Sequence, residues 1–237
     1  KDLGSKHGDF LRALLVEQFH YACSLAPTLS YDIAAIDRAM EWGYGWELGP
    51  FRAMDAMGLD WLRAKFAKAG KSVPPLLARA GTSFYVLESS SETITAVERD
   101  ARVPLPAIPG QTSLALLHQQ KKVKQENAEA RLVDLGDGVL CLEFCGKMNT
   151  LGPGVMELTA RALDVVAKGG HAGLVVVNDD ARTFTAGANL AGVGQLVQAG
   201  DWKTLEVTVK LFQDTVMSFR FAPFPVVAAP FGLTLGG

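Results

Sequence analysis

The chain is 237 residues long, 49% hydrophobic and 20% charged, with a formal net charge of −2. This is the composition of a globular protein with apolar material for one large core or two small ones, and it excludes a disordered chain. So small a net charge gives no reason to expect nucleic acid or an anionic membrane as a partner. Three cysteines, Cys23, Cys141 and Cys145, make neither a disulfide framework nor a metal pattern. The spacing of Cys141 and Cys145 on a strand places both thiols on one face, as packing groups. Reduced thiols, with no charged-then-apolar leader and no apolar run of membrane-spanning length, predict a cytoplasmic protein.

In chain order, Phe10, Leu11, Leu14, Leu15, Phe19, Ala22, Cys23 and Ala26 form a helical stripe that Pro27 should stop. Asp32 is placed to cap a second helix over residues 33–42, ending near Gly43. Gly45, Gly49 and Pro50 make a tight connection into a short helix over 51–57. A further amphipathic stretch runs over 60–69 to Gly70, and Pro74-Pro75 opens a last short helix toward Gly81. Nothing before residue 83 alternates with period two, so residues 1–87 read as an all-α domain. Residues 88–130 carry Ser89-Ser90-Ser91, Pro104, Pro106, Pro109 and a polar run, 119–125, with Lys121, Lys122 and Lys124. This is linker composition, and the lysines read as a solvated face, with contact to nucleotide phosphates the alternative.

Residues 131–237 change to a mixed pattern. Two strands, 131–135 and 139–144, flank a Gly136-Asp137-Gly138 turn. Leu151, Val155, Leu158, Ala162 and Val166 give a helix stripe, Gly169-Gly170 a break, and 173–177 a buried strand. Trp202, Leu205, Val209, Phe212, Val216 and Phe219 predict a long helix packed on a core, ended by Pro223 and Pro225 before a strand over 226–229. The fold class is therefore multidomain: an all-α helical domain, a linker, and an α/β domain. The chain opens on Lys1 and stops on Leu235-Gly236-Gly237, an apolar strand running into glycines, and both ends are expected to be cut from a longer polypeptide.

Several motifs are decoys. Gly43-Tyr44-Gly45 followed by Gly49 lacks both a preceding strand and the G-x-G-x-x-G spacing, so it reads as a turn between helices. His7, His20, His118 and His171 are scattered, with no metal spacing and no paired acid in sequence. Asp179-Asp180 reads as a solvated or capping turn. Two segments carry chemistry. In Thr183-Phe184-Thr185-Ala186-Gly187-Ala188-Asn189-Leu190, small residues let a substrate lie against the main chain, and Gly187 can take a conformation closed to larger residues. From Pro225 to Gly237 a second strand runs into a glycine turn. Backbone N–H groups from two such turns can converge on one carbonyl oxygen, each worth about 3–4 kcal/mol to a developing oxyanion.

Those residues carry a family resemblance. Asn149 after Gly146-Lys147-Met148, the Ala186–Leu190 loop and Pro225 through Gly237 make residues 131–237 resemble the N-terminal half of the crotonase (enoyl-CoA hydratase/isomerase) family. The resemblance implies oxyanion-hole N–H groups at Ala188 and Gly237, and a coenzyme A channel lined by Lys147, Met148, Asn149, Ala186, Gly187 and Leu190. The family often has Asp where this chain has Asn189. Residues 1–87 resemble the C-terminal helical domain of 3-hydroxyacyl-CoA dehydrogenases, through Tyr31-Asp32-Ile33-Ala34-Ala35-Ile36-Asp37 and Gly49-Pro50-Phe51-Arg52-Ala53-Met54-Asp55-Ala56-Met57-Gly58. Together they imply a fatty-acid β-oxidation enzyme acting on acyl-CoA, with NAD bound and both catalytic sets placed outside these residues, no metal, and an oligomer possible. Glu143, Glu157 and Glu206 are not positioned as the catalytic acids. The alternatives are an isomerase, thioester hydrolase or decarboxylase on the same scaffold, or a non-catalytic acyl-CoA-binding or assembly module.

Overall fold

The first apolar stripe folds as helix α1 (Lys6–Leu29). It runs two residues past Pro27, which removes the one backbone bond its missing N–H would have given to the Cys23 carbonyl. Its buried face is Val16, Phe19, Cys23 and Ala26. Asp32 caps α2 (Ile33–Tyr44) by accepting from the Ala35 N–H at 2.7 Å, and Gly45, at φ 68°, closes it in the left-handed conformation. Then follow α3 (Pro50–Met57), α4 (Leu59–Lys68) and α5 (Pro75–Arg79). The computed structural model describes residues 6–88, 91–179 and 182–236 of this chain. Ser89, Ser90 and Asp180 of the motifs above lie outside them, as does Gly237.

Residues after the helices do not form a free linker. Strands β1 (Tyr85–Leu87), β2 (Glu92–Thr95) and β3 (Arg102–Pro104) pair antiparallel in that order. The helical unit is thus completed by a small sheet, and the all-α expectation for residues 1–87 fails at β1. The sheet escaped the hydrophobic pattern because it is held by a cation. The Arg102 guanidinium donates to the carbonyls of Ser83, Phe84 and Thr93 and to the Thr93 hydroxyl, at 2.9–3.2 Å. Phe84 and Ile94 complete a core with Phe19, Ile33, Phe51, Met54, Leu62, Phe66 and Leu77, all 0–2% exposed. This first compact unit spans Lys1–Gln111, and the second Thr112–Gly237.

The second unit also begins inside the expected linker. Ser113 caps α6 (Leu114–Gln119), accepting from the Leu116 N–H, and β4 (Val123–Glu126) follows. The end of the polar lysine run, from Val123, is therefore an edge strand, with Lys124 paired to Asp134 at 3.2 Å. Charged edge strands resist pairing with other chains. Strands β5 (Ala130–Gly136) and β6 (Val139–Phe144) form the predicted hairpin, with Asp137 at φ 50° in its turn. Helix α7 (Pro153–Ala167) crosses to β7 (Gly173–Val177), then come β8 (Thr183–Thr185), α8 (Leu190–Ala199), α9 (Trp202–Arg220), β9 (Val226–Ala228) and β10 (Leu233–Thr234). The main sheet has the order β4-β5-β6-β7-β9, antiparallel up to β6 and parallel beyond. Strands β8 and β10 form a separate parallel pair.

Period-two alternation divides β6 between the two faces of the sheet. Leu140, Leu142 and Phe144 pack under Val155, Leu158, Ala162 and Val166 of α7. Cys141 lies on the opposite face with Val133 and Leu114. The long helix α9 forms where predicted, but no residue of it is buried. Val209 and Val216 of its stripe are 47% and 36% exposed. Only Phe219 reaches the core, as a partly buried neighbour.

Candidate functional site

The loop leaving β6 begins with Cys145, whose N–H donates to the Glu129 carbonyl at 2.9 Å. Lys147–Asn149 then makes a single 3-10 turn. Met148 (φ 54°) and Asn149 (φ 49°) are both left-handed, a conformation that costs a non-glycine residue about 1–2 kcal/mol. Tertiary bonds over-determine the turn. Asn149 is 3% exposed, its amide donates to the Thr183 carbonyl at 2.8 Å, and its carbonyl accepts from the Thr185 hydroxyl at 2.7 Å. The Ala186 N–H donates to the Met148 carbonyl at 3.1 Å. Asn178, at the end of β7, donates to the Phe184 carbonyl at 2.7 Å and ties β8 to the same cluster.

These bonds bring the two predicted loops together. The Leu151 N–H donates to the Gly187 carbonyl at 2.8 Å, and the Asn189 N–H to the Leu151 carbonyl at 3.3 Å. Leu151 thus bridges Ala188 in parallel fashion, using the groups on either side of it. The N–H of Ala188 itself finds no acceptor among the described residues. Gly187, at φ 83°, is pressed so close that a Cβ there would lie 2.9 Å from the Leu235 carbonyl oxygen. A Cβ on Gly236 (φ 85°) would lie 2.9 Å from Gly187 Cα and 3.6 Å from the Ala188 nitrogen. Pairing of β10 with β8 sets this approach, through Leu233 N–H to the Arg182 carbonyl at 2.8 Å and Leu235 N–H to the Thr185 carbonyl at 2.9 Å.

Of the predicted channel residues, Ala186 and Gly187 share one bonded cluster with Met148, next to Ala188, the first expected oxyanion donor. Met148 is 53% exposed and Leu190, opening α8, is 74% exposed. Lys147 is exposed, whereas the Asn149 side chain faces inward and serves as a pin. Asn189 caps α8, accepting from the Ala191 N–H at 3.2 Å. Gly237, the second expected donor, lies outside the described residues.

Two carboxylate roles escaped the sequence reading. Glu129, in the β4–β5 turn, accepts from the Gly154 N–H at 2.8 Å and the Val155 N–H at 3.2 Å, capping α7 from a distance. His118 of α6 does have a paired acid. Its Nε2 lies 2.7 Å from Oε2 of Glu143, which is 3% exposed and has Arg131 3.7 Å away on its other oxygen. These partners are 25 residues apart, and α6 sits where linker composition was read, so no local spacing could reveal the pair. Burial raises the Asp179 carboxyl, with His118 pulling the other way. Burial pushes the Cys23 and Cys141 thiols up to about 12, helped at Cys141 by Glu143, which fits packing groups. No group of three or more metal-ligating side chains occurs among the described residues. None of the described helices is long and apolar enough to cross a membrane.

Several known proteins share sequence with this chain. Residues 8–76 match the family described as 3-hydroxyacyl-CoA dehydrogenase, C-terminal domain. A probable 3-hydroxyacyl-CoA dehydrogenase of Bacillus subtilis (strain 168) is 35% identical over 221 residues, covering 92% of this chain and 28% of the relative. A protein of Rickettsia felis described as a trifunctional enzyme of the fatty acid oxidation complex is 24% identical, over 98% of this chain and 29% of its own length. Among solved structures, an enoyl-CoA hydratase/carnithine racemase from Magnetospirillum magneticum is 22% identical with a TM-score of 0.40, covering 47% of this chain and 42% of that one. The chain is thus similar in sequence to one protein described as a 3-hydroxyacyl-CoA dehydrogenase and to another described as an enzyme of the fatty acid oxidation complex. It spans less than a third of the length of these relatives.

Proposed function

We propose that the second unit holds an acyl-CoA thioester, with its carbonyl oxygen on the Ala188 N–H and, as the family resemblance implies, on that of Gly237. On this reading the chain serves a β-oxidation enzyme that hydrates enoyl-CoA and oxidises 3-hydroxyacyl-CoA with NAD. The observation that carries it is the Ala188 N–H, which lacks an acceptor within the described residues although both neighbouring peptide units are bonded. A fixed, half-buried donor beside a second glycine turn is the geometry that stabilises a developing oxyanion. Met148, Lys147 and Leu190, beside the same cluster in the chain, are exposed and free to meet the coenzyme.

NAD, when bound to such enzymes, supplies hydride acceptance, and the residues described here do not fit it. Among its described residues, the first unit has no parallel strand–turn–helix crossover. In the second, the β6–α7–β7 crossover has its helix N-terminus filled by the Glu129 carboxylate, which excludes a pyrophosphate there. Glu143 is engaged with His118 and Arg131, and Glu157 with Arg161. Neither is free to act as an acid–base pair at Ala188. The 237-residue chain is therefore expected to bind crotonyl-CoA without hydrating it. In a titration followed by amide NMR, the Ala188 resonance should shift with ligand and be unresponsive in Gly187→Val. A silent Ala188 amide at saturating ligand overturns the binding site, and turnover to 3-hydroxybutyryl-CoA overturns the assignment of the acids elsewhere.

A further inference from the structure

In the first unit, Asp37 sits in the middle of α2 and is 1% exposed. Its carboxylate is held by neutral donors alone: the Phe51 N–H at 2.8 Å, the Arg52 N–H at 3.0 Å and the Tyr85 hydroxyl at 2.8 Å. It therefore caps the N-terminus of α3 from the preceding helix while also gripping β1. No cation among the described residues is paired with it. The Arg52 guanidinium lies over the Tyr85 ring at 4.1 Å and pairs with Glu92 of β2 at 3.6 Å. Glu41, one turn along α2, accepts from the Gly49 N–H at 2.9 Å and adds a second negative charge. Asp55 of α3 is occupied by the Phe84 and Tyr85 N–H groups at 2.7 and 2.9 Å. The space around Asp37 is closed, since a Cβ on Gly49 would lie 2.3 Å from Asp37 Cα.

A buried carboxylate without a counter-charge is neutralised most cheaply by a proton. We propose that Asp37 and Tyr85 form a proton-operated latch between the α2–α3 hairpin and β1, in which protonation of the carboxylate reverses the hydrogen bond joining them. With Asp37 ionised, the phenol donates to Oδ2. When Oδ2 takes a proton from water, it becomes the donor and the phenolic oxygen the acceptor. The phenolic hydrogen then turns toward the solvent side of the half-buried Tyr85. Burial pushes the Asp37 carboxyl up to about 6, against the three donors, with Glu41 adding to the rise. The Tyr85 hydroxyl is itself pushed up, by burial first and then by Asp37, so it stays protonated in both states.

The test is carbon NMR of the Asp37 carboxyl and Tyr85 Cζ in the 237-residue chain, across a pH range of about 4 to 8. Both carbons should move with one midpoint near 6. In Tyr85→Phe the carboxylate loses a donor, and the Asp37 midpoint should rise. In Asp37→Asn the Tyr85 carbon should stop responding. An Asp37 midpoint at or below the ordinary 3.8, or a Tyr85 carbon that does not follow it, overturns the latch. If Asp37→Asn does not fold, the Tyr85→Phe titration decides alone, and an unchanged or lowered midpoint there overturns the proposal.

Discussion

At Gly187 two requirements meet in one residue: a backbone at φ 83° and a Cβ position already filled by the Leu235 carbonyl. Gly187→Ala should therefore combine left-handed strain with a backbone clash and cost roughly 2–4 kcal/mol, read as a lowered midpoint in denaturant unfolding. That glycine was legible in sequence because only glycine meets such a demand cheaply. The left-handed Met148 and Asn149 were not, since their strain is held by Thr183 and Thr185, 34 and 36 residues further on. Asp37 carries a pH prediction of its own. Its folded pKa is raised from 3.8 to about 6, so its contribution to stability is full below about 3.8 and is lost as pH rises through about 6. A shift of that size corresponds to at most about 3 kcal/mol. Wild type should lose that much relative to Asp37→Asn as pH rises from about 3.8 to about 6, and parallel pH–stability curves for the two would contradict it. The thiols offer a separate check. Native alkylation should label half-buried Cys145 first, with Cys23 and Cys141 reacting only on unfolding.

Among the elements, helices were readable from local spacing wherever caps and periodicity agreed, as at Asp32 of α2, although that helix closes on Gly45, two residues past the expected Gly43. Their surroundings were not. The α9 stripe has the period of a core-packing face, yet periodicity reports that an apolar face exists and not that something covers it. Val209→Ser should accordingly change stability by less than about 0.5 kcal/mol, whereas Leu158→Ala, 2% exposed on α7, should cost about 2–5 kcal/mol. Equal losses in urea melts would mean that α9 is buried after all. The α7 start makes the converse point. Its cap is Glu129 from the distant β4–β5 turn, so no Ser or Asp precedes Pro153 to announce it. Glu129→Ala should cost about 1–2 kcal/mol by leaving two helix-terminal N–H groups without their acceptor.

Over the whole molecule, the division into a helical part and an α/β part was legible from the change of hydrophobic period, but residues 88–130 were misread as a linker. Their strands are short and held by polar groups, Arg102 on carbonyls and Lys124 on Asp134, so composition resembled a loop while the backbone was paired. The first core cluster lies wholly within Lys1–Gln111, and the other two within Thr112–Gly237. Two cores with no shared members should melt as two transitions rather than one. Phe66→Ala, at 0% exposure, empties only the first core, and Leu158→Ala only the second. Each loss of about 3 kcal/mol should lower one calorimetric transition by on the order of 10 °C and leave the other in place. A single transition that both substitutions shift together would mean that the two cores unfold as one cooperative unit, and the boundary at Gln111 would then have no thermodynamic meaning.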